Sequence, residues 1–185
     1  MTDVVILAAL PEEFALAIDS RYKTVYTGVG KINAARVTTQ AILELQPQLI
    51  VNIGTAGSVS KDLSGVVSIR HVVEHDMNAF PLCKRGETPF DKVSPKLSSD
   101  IGELTCATGD SFISVVDPWF IQEGVAVVDM ELFAIAKVCT AFGINWRACK
   151  LISDHLNENS SSDWSNSLSK SSIELNKVLD SLCSI

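Results

Sequence analysis

The sequence predicts a three-layer α/β/α sandwich around a largely parallel, mixed and twisted central sheet. Short runs of apolar and β-branched residues alternate with amphipathic stretches along the chain, which is typical of α/β proteins. The clearest example is segment 125–154, where an apolar run, a mostly apolar helix ended by Gly143, and a second apolar run follow one another. We interpret this segment as a β-α-β unit with parallel strands. The chain of 185 residues has the length of one domain, which we expect to cover 1–185.

The amino-acid composition and net charge indicate which kinds of molecule the protein could bind. Hydrophobic residues make up 46% of the chain and charged residues 20%, so a sizeable core is expected and wholesale disorder is not. The formal net charge of −7 disfavours nucleic acid and anionic membranes as partners, which leaves a small molecule as the expected ligand. No run has the length of a transmembrane helix or follows a basic signal-peptide region, and the five cysteines form no CxxC pair. We therefore expect a cytoplasmic protein with reduced cysteines.

The periodicity of the apolar residues gives the other elements. We predict strands at 4–10, 22–27, 49–53, 66–73, 104–108, 125–128 and 146–152, and helices at 11–18 (with Pro11 in its first turn), 32–45, 132–139 and 164–182. Residues 54–58 are expected to form a small-residue loop after the third strand. Residues 81–105 show little periodicity and are expected to form a long surface segment.

Three carboxylates follow the two strands of segment 125–154. Asp129 and Glu131 stand where the first strand gives way to a helix, and Asp154, preceded by Ser153, ends the second strand. Open α/β sheets bind ligands at the carboxyl ends of their strands, so we expect these side chains to line a site. For Asp129, a helix-capping role is at least as good an interpretation. Glu131 and Asp154 are bracketed by apolar residues, where a carboxylate without a partner is costly.

Two familiar motifs are rejected. Residues 71–75, HVVEH, match a zinc-protease pattern, but in a strand the two histidines lie roughly 13 Å apart and cannot share one zinc. The turn at 28–31, GVGK, lacks both the spacing of a phosphate-binding loop and the third glycine of the dinucleotide fingerprint. We expect neither a metal nor a cofactor.

Six ordered motifs carry a resemblance to a known family. They are ALPEE at 9–13, GVGKINAA at 28–35, NIGTAGS at 52–58, TGDSF at 108–112, VVDMELFAIAKVC at 127–139 and ISD at 152–154. Together they resemble the purine nucleoside phosphorylase superfamily, and within it most of all the methylthioadenosine/S-adenosylhomocysteine nucleosidases. The resemblance implies a cofactor-free, homodimeric N-ribosyl hydrolase that cleaves the N-glycosidic bond of a purine-type nucleoside.

The resemblance also implies roles for individual side chains. Glu13 would activate the attacking water, and Asp154 would protonate or hydrogen-bond N7 of the leaving purine, with Ser153 beside it. Met130 would pack under the ribose, and Glu131 would bind its hydroxyls. The other expected substrate-binding residues are Phe112, which would stack on the base, Asp129, and Thr55, Ala56 and Gly57 near the water and sugar.

The chemistry of glycosidic cleavage explains these residue types. Positive charge develops on the sugar and negative charge on the base, so a site needs an acid at the base and a carboxylate with water at the sugar. Two carboxyl groups in different environments can hold the different protonation states that these roles require.

Three alternatives stay open. They are a purine nucleoside phosphorylase, a nucleosidase for a modified purine-like nucleoside, and a nucleoside-binding protein without turnover. Phosphorylases of the superfamily hold phosphate with arginines where this chain has the acidic 11–13 loop and Asn52, which disfavours the first alternative.

Several positions depart from the nucleosidase pattern. Thr55 replaces a serine, and Lys150 replaces an arginine without its bidentate geometry. The segment between Phe80 and Gly109, which the resemblance places in the wall around the 5′ substituent, is shortened, and this leaves the 5′ substituent and the base undetermined. Trp119 and Phe120 are interpreted as exposed apolar residues that could serve an interface, although surface aromatic residues are often only the periphery of the core.

Overall fold

A computed structural model describes residues 3–15 and 22–184, except for the side chains of 169 and 170. Its elements are β1 (Val4–Ala8), β2 (Lys23–Tyr26), α1 (Lys31–Leu45), β3 (Leu49–Ser58), β4 (Val66–Glu74), β5 (Lys96–Ser98), β6 (Leu104–Thr108), α2 (Pro118–Gln122), β7 (Val127–Asp129), α3 (Leu132–Phe142), β8 (Asn145–Asp154) and α4 (Ser160–Cys183). The predicted stop of α3 is confirmed, since Gly143 takes the left-handed conformation with φ of 68°. Within the described ranges, no helix has both the length and the apolar character needed to cross a membrane.

The eight strands form one mixed sheet in the order β2-β1-β3-β7-β6-β4-β5, and β8 pairs with both β3 and β4. The pairs β1–β2, β1–β3, β3–β8, β4–β6 and β6–β7 are parallel, whereas β3–β7, β4–β5 and β4–β8 are antiparallel. Because β8 bridges β3 and β4, the sheet curls back on itself at this point. The predicted α/β class with a largely parallel, mixed sheet is confirmed.

Alternate residues of the strands separate the core into two layers. In β1, Val5 and Leu7 pack with the apolar faces of α1 and α3, while Val4, Ile6 and Ala8 pack with α4 on the opposite face. Side chains of a strand point to opposite faces in turn, and both faces of this sheet are covered, so the strand is apolar at every position. Helices on both faces give the three layers.

The predicted β-α-β unit at 125–154 is wrong in its strand pairing. β7 and β8 are not neighbours, because the end of β3 lies between them: Gly57 pairs with Val128 of β7 and with Asp154 of β8. β7 runs antiparallel to β3 there and parallel to β6. The carboxylates of Asp129 and Asp154 are therefore brought together across β3 rather than along one edge of adjacent strands.

The predicted loop at 54–58 is also wrong. These residues continue β3, because Gly54, Thr55 and Ala56 pair with Lys150, Leu151 and Ile152 of β8, and Gly57 pairs with Asp154 after a shift in register. In the first motif, Pro11–Glu13 form a turn in place of the predicted helical turn, and Phe14 and Ala15 are not helical. The remainder of the predicted 11–18 helix lies outside the described residues.

The interpretation of Trp119 and Phe120 as an exposed apolar pair is wrong. Phe120, a residue of α2, is fully buried. Its ring packs edge-on against the imidazole of His75, with the ring centroids 5.4 Å apart. Trp119 is partly buried and lies under the guanidinium of Arg85, 4.8 Å from the ring centroid. Neither side chain is available as an apolar contact surface.

The structure confirms that His71 of the HVVEH stretch lies in a strand, β4, which ends at Glu74. The ring of His71 bonds to the hydroxyl of Ser98, Nδ1 to Oγ 2.8 Å. Across the described ranges, no cluster of three or more His, Cys, Asp or Glu side chains could hold a metal ion.

The turn before β6 depends on a close backbone contact. Gly102 has φ of +101°, and a Cβ added there would lie 2.5 Å from the carbonyl carbon of Ile69 and 2.6 Å from its oxygen. Gly65 has φ of +77°, but an added Cβ would meet no atom within 4 Å. A side chain at either glycine would strain the backbone, but only at Gly102 would it also clash with neighbouring atoms.

We expect Gly65→Ala to destabilise the fold by about 1–2 kcal/mol through the left-handed backbone alone. Gly102→Ala should cost about 1–3 kcal/mol more, because the new methyl group displaces backbone that cannot move aside. Thermal unfolding of the two variants measures the difference. Equal melting temperatures would contradict the close contact at Gly102.

Candidate active site

A cavity of about 160 Å³ lies beside the carboxyl ends of β3, β7 and β8. All ten of the residues that the sequence singled out line it: Glu13, Thr55, Ala56, Gly57, Phe112, Asp129, Met130, Glu131, Ser153 and Asp154. They come from five separate parts of the chain, and β3 brings 55–57, 129–131 and 153–154 together by running between β7 and β8.

Glu13 is buried at the end of the Pro11–Glu13 turn, with 5% of its surface exposed, whereas Glu12 is exposed. Its Oε1 accepts hydrogen bonds from the hydroxyl of Thr55 and from the Thr55 backbone N–H, the latter at 3.3 Å. Its Oε2 is buried, and no hydrogen-bond donor in the described ranges reaches it. One carboxylate oxygen is thus held in place while the other is left for a ligand.

Asp129 forms a buried ion pair with Lys150, Oδ2 to Nζ 2.7 Å. Its Oδ1 accepts from the hydroxyl of Thr108 at 2.5 Å, and Oδ2 also accepts from the backbone N–H of Leu132 at 3.0 Å, at the start of α3. Burial opposes ionisation, but the adjacent ammonium and these donors hold the pKa of Asp129 below its usual value. The helix-capping interpretation of Asp129 is therefore confirmed, and the residue is at the same time the partner of Lys150.

Glu131 lacks a cation of its own. Its Oε1 accepts a hydrogen bond of 2.9 Å from the backbone N–H of Gly30, the residue before α1. Burial, together with the negative charge of Asp129, raises the pKa of Glu131 to about 7. The carboxyl group is therefore close to half-protonated at neutral pH.

Asp154 is held by its immediate neighbours. Its Oδ2 accepts from the hydroxyl of Ser153 at 2.9 Å, and Oδ1 accepts from the backbone N–H of Leu156 at 3.1 Å. Gly57 lies against it, since an added Cβ at Gly57 would be 3.0 Å from Oδ1 and 2.5 Å from a methyl carbon of Leu156. Glycine is therefore required at this point for the carboxylate to reach the cavity.

Phe112 lies at the cavity with half of its surface exposed, so it is not a core residue. An exposed aromatic ring at the mouth of a cavity is suited to stacking on a planar ligand. Met130 and Val29 also line this cavity and add apolar surface.

The sequence missed several residues of the lining. They are Ala9, Leu10, Val29, Ser111, Ile113, Val128, Leu156 and Trp164. Five of them belong to the quoted motifs, and Ile113 and Leu156 stand one and two positions beyond the end of a motif. Trp164 belongs to α4 and lies outside every motif, and no sequence pattern pointed to it.

The shortened segment between Phe80 and Gly109 does not wall the cavity as expected. None of the described residues that line the cavity comes from it. The segment instead carries the short strand β5, which pairs antiparallel with β4 in the sheet.

The comparisons with known proteins place this site in a family. The model of the phosphorylase superfamily matches residues 21–184. The chain belongs to the phosphorylase superfamily. A nucleosidase of Exiguobacterium sp. named 5′-methylthioadenosine/S-adenosylhomocysteine nucleosidase is 30% identical over 176 residues, covering 83% of this chain and 76% of the relative. The enzyme of the same name from Staphylococcus haemolyticus is 28% identical and covers 86% and 79%. The resemblance that the motifs indicated is confirmed.

Solved structures share the fold of this superfamily member. The 5′-methylthioadenosine/S-adenosylhomocysteine nucleosidase of Helicobacter pylori superposes with a TM-score of 0.85 at 23% identity, over 98% of this chain and 97% of that one. The futalosine hydrolase of the same organism gives a TM-score of 0.85 at 22% identity, over 97% and 96%. At this level of identity the two structures establish the architecture and leave the substrate open.

The raised pKa of Glu131 makes the stability of this superfamily member depend on pH. Between the ordinary pKa of 4.5 and about 7, the folded protein keeps a proton on Glu131 that the unfolded chain releases. This group therefore favours the folded state below pH 4.5, and its contribution is lost as the pH rises to 7.

We expect Glu131→Gln to remove the loss of stability that the wild type shows as the pH rises to 7. The amide does not titrate in this range, and its oxygen still accepts the hydrogen bond from the backbone N–H of Gly30. The free energy of unfolding of the variant, relative to the wild type, should rise by up to ~3 kcal/mol between pH 4.5 and 7. Urea unfolding at four pH values across this window measures it. A difference that stays constant with pH would contradict the raised pKa.

Proposed function

We propose that this protein is a nucleosidase that hydrolyses the N-glycosidic bond of a purine-type nucleoside such as 5′-methylthioadenosine or S-adenosylhomocysteine. One observation carries the proposal: a single cavity holds Glu13, with one buried oxygen free of donors, together with Asp154. The names of the relatives supply the substrate class. The chemistry of the reaction needs a group of each kind, one for water and one for the leaving base.

On the sugar side, Glu13 acts as the general base. Its Oε2 accepts a proton from water as the water oxygen forms a bond to the anomeric carbon, while the bond from that carbon to the base nitrogen breaks. The bonds from Thr55 to Oε1 fix the carboxylate, so that Oε2 faces the water. A base held in one orientation avoids the cost of reorganising during the reaction.

On the base side, Asp154 stabilises the leaving purine. The electron pair of the broken bond passes to the base, and a proton or hydrogen bond from Asp154 to N7 neutralises it. The hydroxyl of Ser153 fixes the Asp154 carboxyl group from one side and the N–H of Leu156 from the other. Phe112 supplies a half-exposed ring on which the base stacks.

The ribose lies between the two carboxyl groups in this proposal. Glu131 binds its hydroxyls, since the bond from Gly30 occupies only Oε1. Met130 packs beneath the sugar from the same stretch of chain. A carboxyl group with a pKa of about 7 can both accept and donate a hydrogen bond, which suits a pair of hydroxyl groups.

Water is favoured over phosphate as the attacking group. No arginine or lysine is among the described residues that line the cavity, while Glu13, Asp129, Glu131 and Asp154 are all acidic. Asn52, at the position where phosphorylases carry an arginine, is buried, and its amide donates to the carbonyl of Leu7 at 3.1 Å. A phosphate ion in this cavity would meet repulsion without a compensating cation.

The first test is incubation with a panel of purine nucleosides, with and without phosphate. We expect free base and free sugar at an unchanged rate when phosphate is left out. A modified nucleoside such as futalosine belongs in the panel, because its hydrolase shares this fold. Chromatography of the products gives the answer, and a strict phosphate requirement with sugar-1-phosphate as product would overturn the hydrolase. Tight binding without turnover would favour a nucleoside-binding protein.

A change of the substrate's leaving group distinguishes the role of Asp154 from that of Glu13. We expect Asp154→Asn and Glu13→Gln each to lower kcat by roughly 10²–10⁴, the usual contribution of an acid or base catalyst. On a substrate whose leaving group needs no protonation, Asp154→Asn should regain most of its activity, because only the base-side step is relieved. Glu13→Gln should remain impaired, because its water is still not activated.

Glu12→Gln is the matched control for Glu13→Gln, since Glu12 is the exposed neighbour in the same turn. It should keep wild-type kcat on both substrates. Equal losses for Asp154→Asn and Glu13→Gln on the activated substrate would show that the two roles are assigned wrongly.

We further propose that the protein acts as a cytoplasmic homodimer with 1–185 as one domain, as the family resemblance implies. Several large apolar side chains are exposed on the surface of the described chain, among them Ile32, Phe80, Phe90 and Val115. Such residues are typical of contact surfaces when they cluster. Light scattering in solution gives the mass that decides between a monomer and a dimer.

A further inference from the structure

The indole of Trp164 reaches the candidate active site from α4, an element that carries none of the recognised motifs. Its Nε1 donates a hydrogen bond of 3.0 Å to the Oγ1 of Thr55, and the side chain lines the cavity. Thr55 in turn donates its hydroxyl hydrogen to Oε1 of Glu13. Trp164, Thr55 and Glu13 therefore form one chain of hydrogen bonds.

The direction of this chain follows from the chemistry of its members. An indole N–H can only donate, and a threonine hydroxyl has a single hydrogen that can serve one acceptor at a time. Because Trp164 occupies a lone pair of Thr55 Oγ1, that oxygen keeps its hydrogen for Glu13. Donors in series also polarise one another, which strengthens the bond to the carboxylate.

Helix α4 fixes the backbone of Glu13 as well. The hydroxyl of Ser171, which is fully buried, donates to the carbonyl oxygen of Glu13 at 2.6 Å. Helix α4 thus holds the main chain of Glu13 through Ser171, and it holds the side chain of Glu13 through Trp164 and Thr55. Rotation of the carboxylate would break the bonds from Thr55 to Oε1, while Ser171 holds the main chain in place.

We propose that Trp164 is a positioning residue that acts through Thr55 to keep Oε1 of Glu13 bonded and Oε2 turned into the cavity. This inference rests on the proposed function, in which Oε2 takes the proton from the attacking water. Trp164 itself takes no part in the transfer of that proton. Its contribution is to the orientation of the base, so its loss should lower kcat more than it changes KM.

The first variant is Trp164→Phe, which keeps an aromatic ring in the wall and removes the N–H. We expect kcat to fall roughly 2- to 10-fold, the range that one lost neutral hydrogen bond gives, with KM within twofold of the wild type. Ser165→Ala, an exposed neighbour on the same helix, is the matched control and should keep wild-type kcat. Melting temperatures of both variants show whether the fold is intact.

The double variant tests whether Trp164 acts through Thr55. In a Thr55→Val background the hydroxyl is gone, so adding Trp164→Phe should change kcat by less than about 1.5-fold. A residue that only supports the fold or touches the substrate would show its full effect in either background. An unchanged kcat in Trp164→Phe, a change confined to KM, or an additive double variant would each overturn the inference.

A spectroscopic measurement makes the outcome independent of turnover. The chain has three tryptophans, and the indole N–H peak that Trp164→Phe removes from a ¹⁵N spectrum identifies Trp164. Thr55→Val should move that peak and leave the other two in place. A stationary peak refutes the hydrogen bond. If Thr55→Val moves the peak but the wild type hydrolyses no nucleoside of the panel, the hydrogen bond stands, the proposed function is refuted, and the positioning role falls with it.

Discussion

The buried ion pair between Lys150 and Asp129 is the interaction on which the rest of the site depends. Lys150 is almost completely inaccessible, and an ammonium ion in such a place is strongly destabilising without a partner of opposite charge. Asp129 supplies that charge and is fixed in turn by Thr108 and by the start of α3. Burial and the negative charge of Asp129 raise the pKa of the neighbouring Glu131 to about 7, against the opposing effect of Lys150. The ion pair therefore supplies part of the electrostatic environment that shifts the pKa of this carboxyl group.

The glycines of β3 meet neighbours that come from other parts of the chain. At Gly57 an added Cβ would lie 2.5 Å from a methyl carbon of Leu156 and 3.0 Å from Oδ1 of Asp154, so a side chain there would force a shift. At Gly54 it would lie 3.8 Å from both carboxylate oxygens of Glu13 and from Nζ of Lys150, which is ordinary van der Waals contact. The glycine at 57 thus reports on the neighbours of the strand more than on the conformation of the strand, which explains how this part of β3 resembled a loop.

The sequence predicted features that depend on neighbouring residues better than features that depend on residues far apart in the chain. Local periodicity and capping located α1 and α3, and Gly143 ended α3 as predicted, because these signals act within a few residues. Strand pairing failed at β7, since its partner is the end of β3, some seventy positions away, and nothing within β7 encodes that choice. The ten predicted site residues were found through ordered motifs and do meet in one cavity. Trp164 was missed because its contact with Thr55 joins positions 109 residues apart.

Helix α4 links the stability of the fold to the geometry of the candidate base. Leu175, Leu179 and Leu182 anchor the helix to the sheet, while the hydroxyls of Ser171 and Ser172 and the amide of Asn176 bond to the backbone of Glu13 and Ala15. The turn at Pro11–Glu13 is also held by two local bonds to the carbonyl oxygen of Leu10, and Thr55 of β3 bonds to the side chain of Glu13. A local opening of α4 would therefore free the main chain of Glu13 and Ala15 while the bonds from Thr55 remain. The docking of α4 against the sheet therefore contributes to the position that Glu13 takes at the cavity.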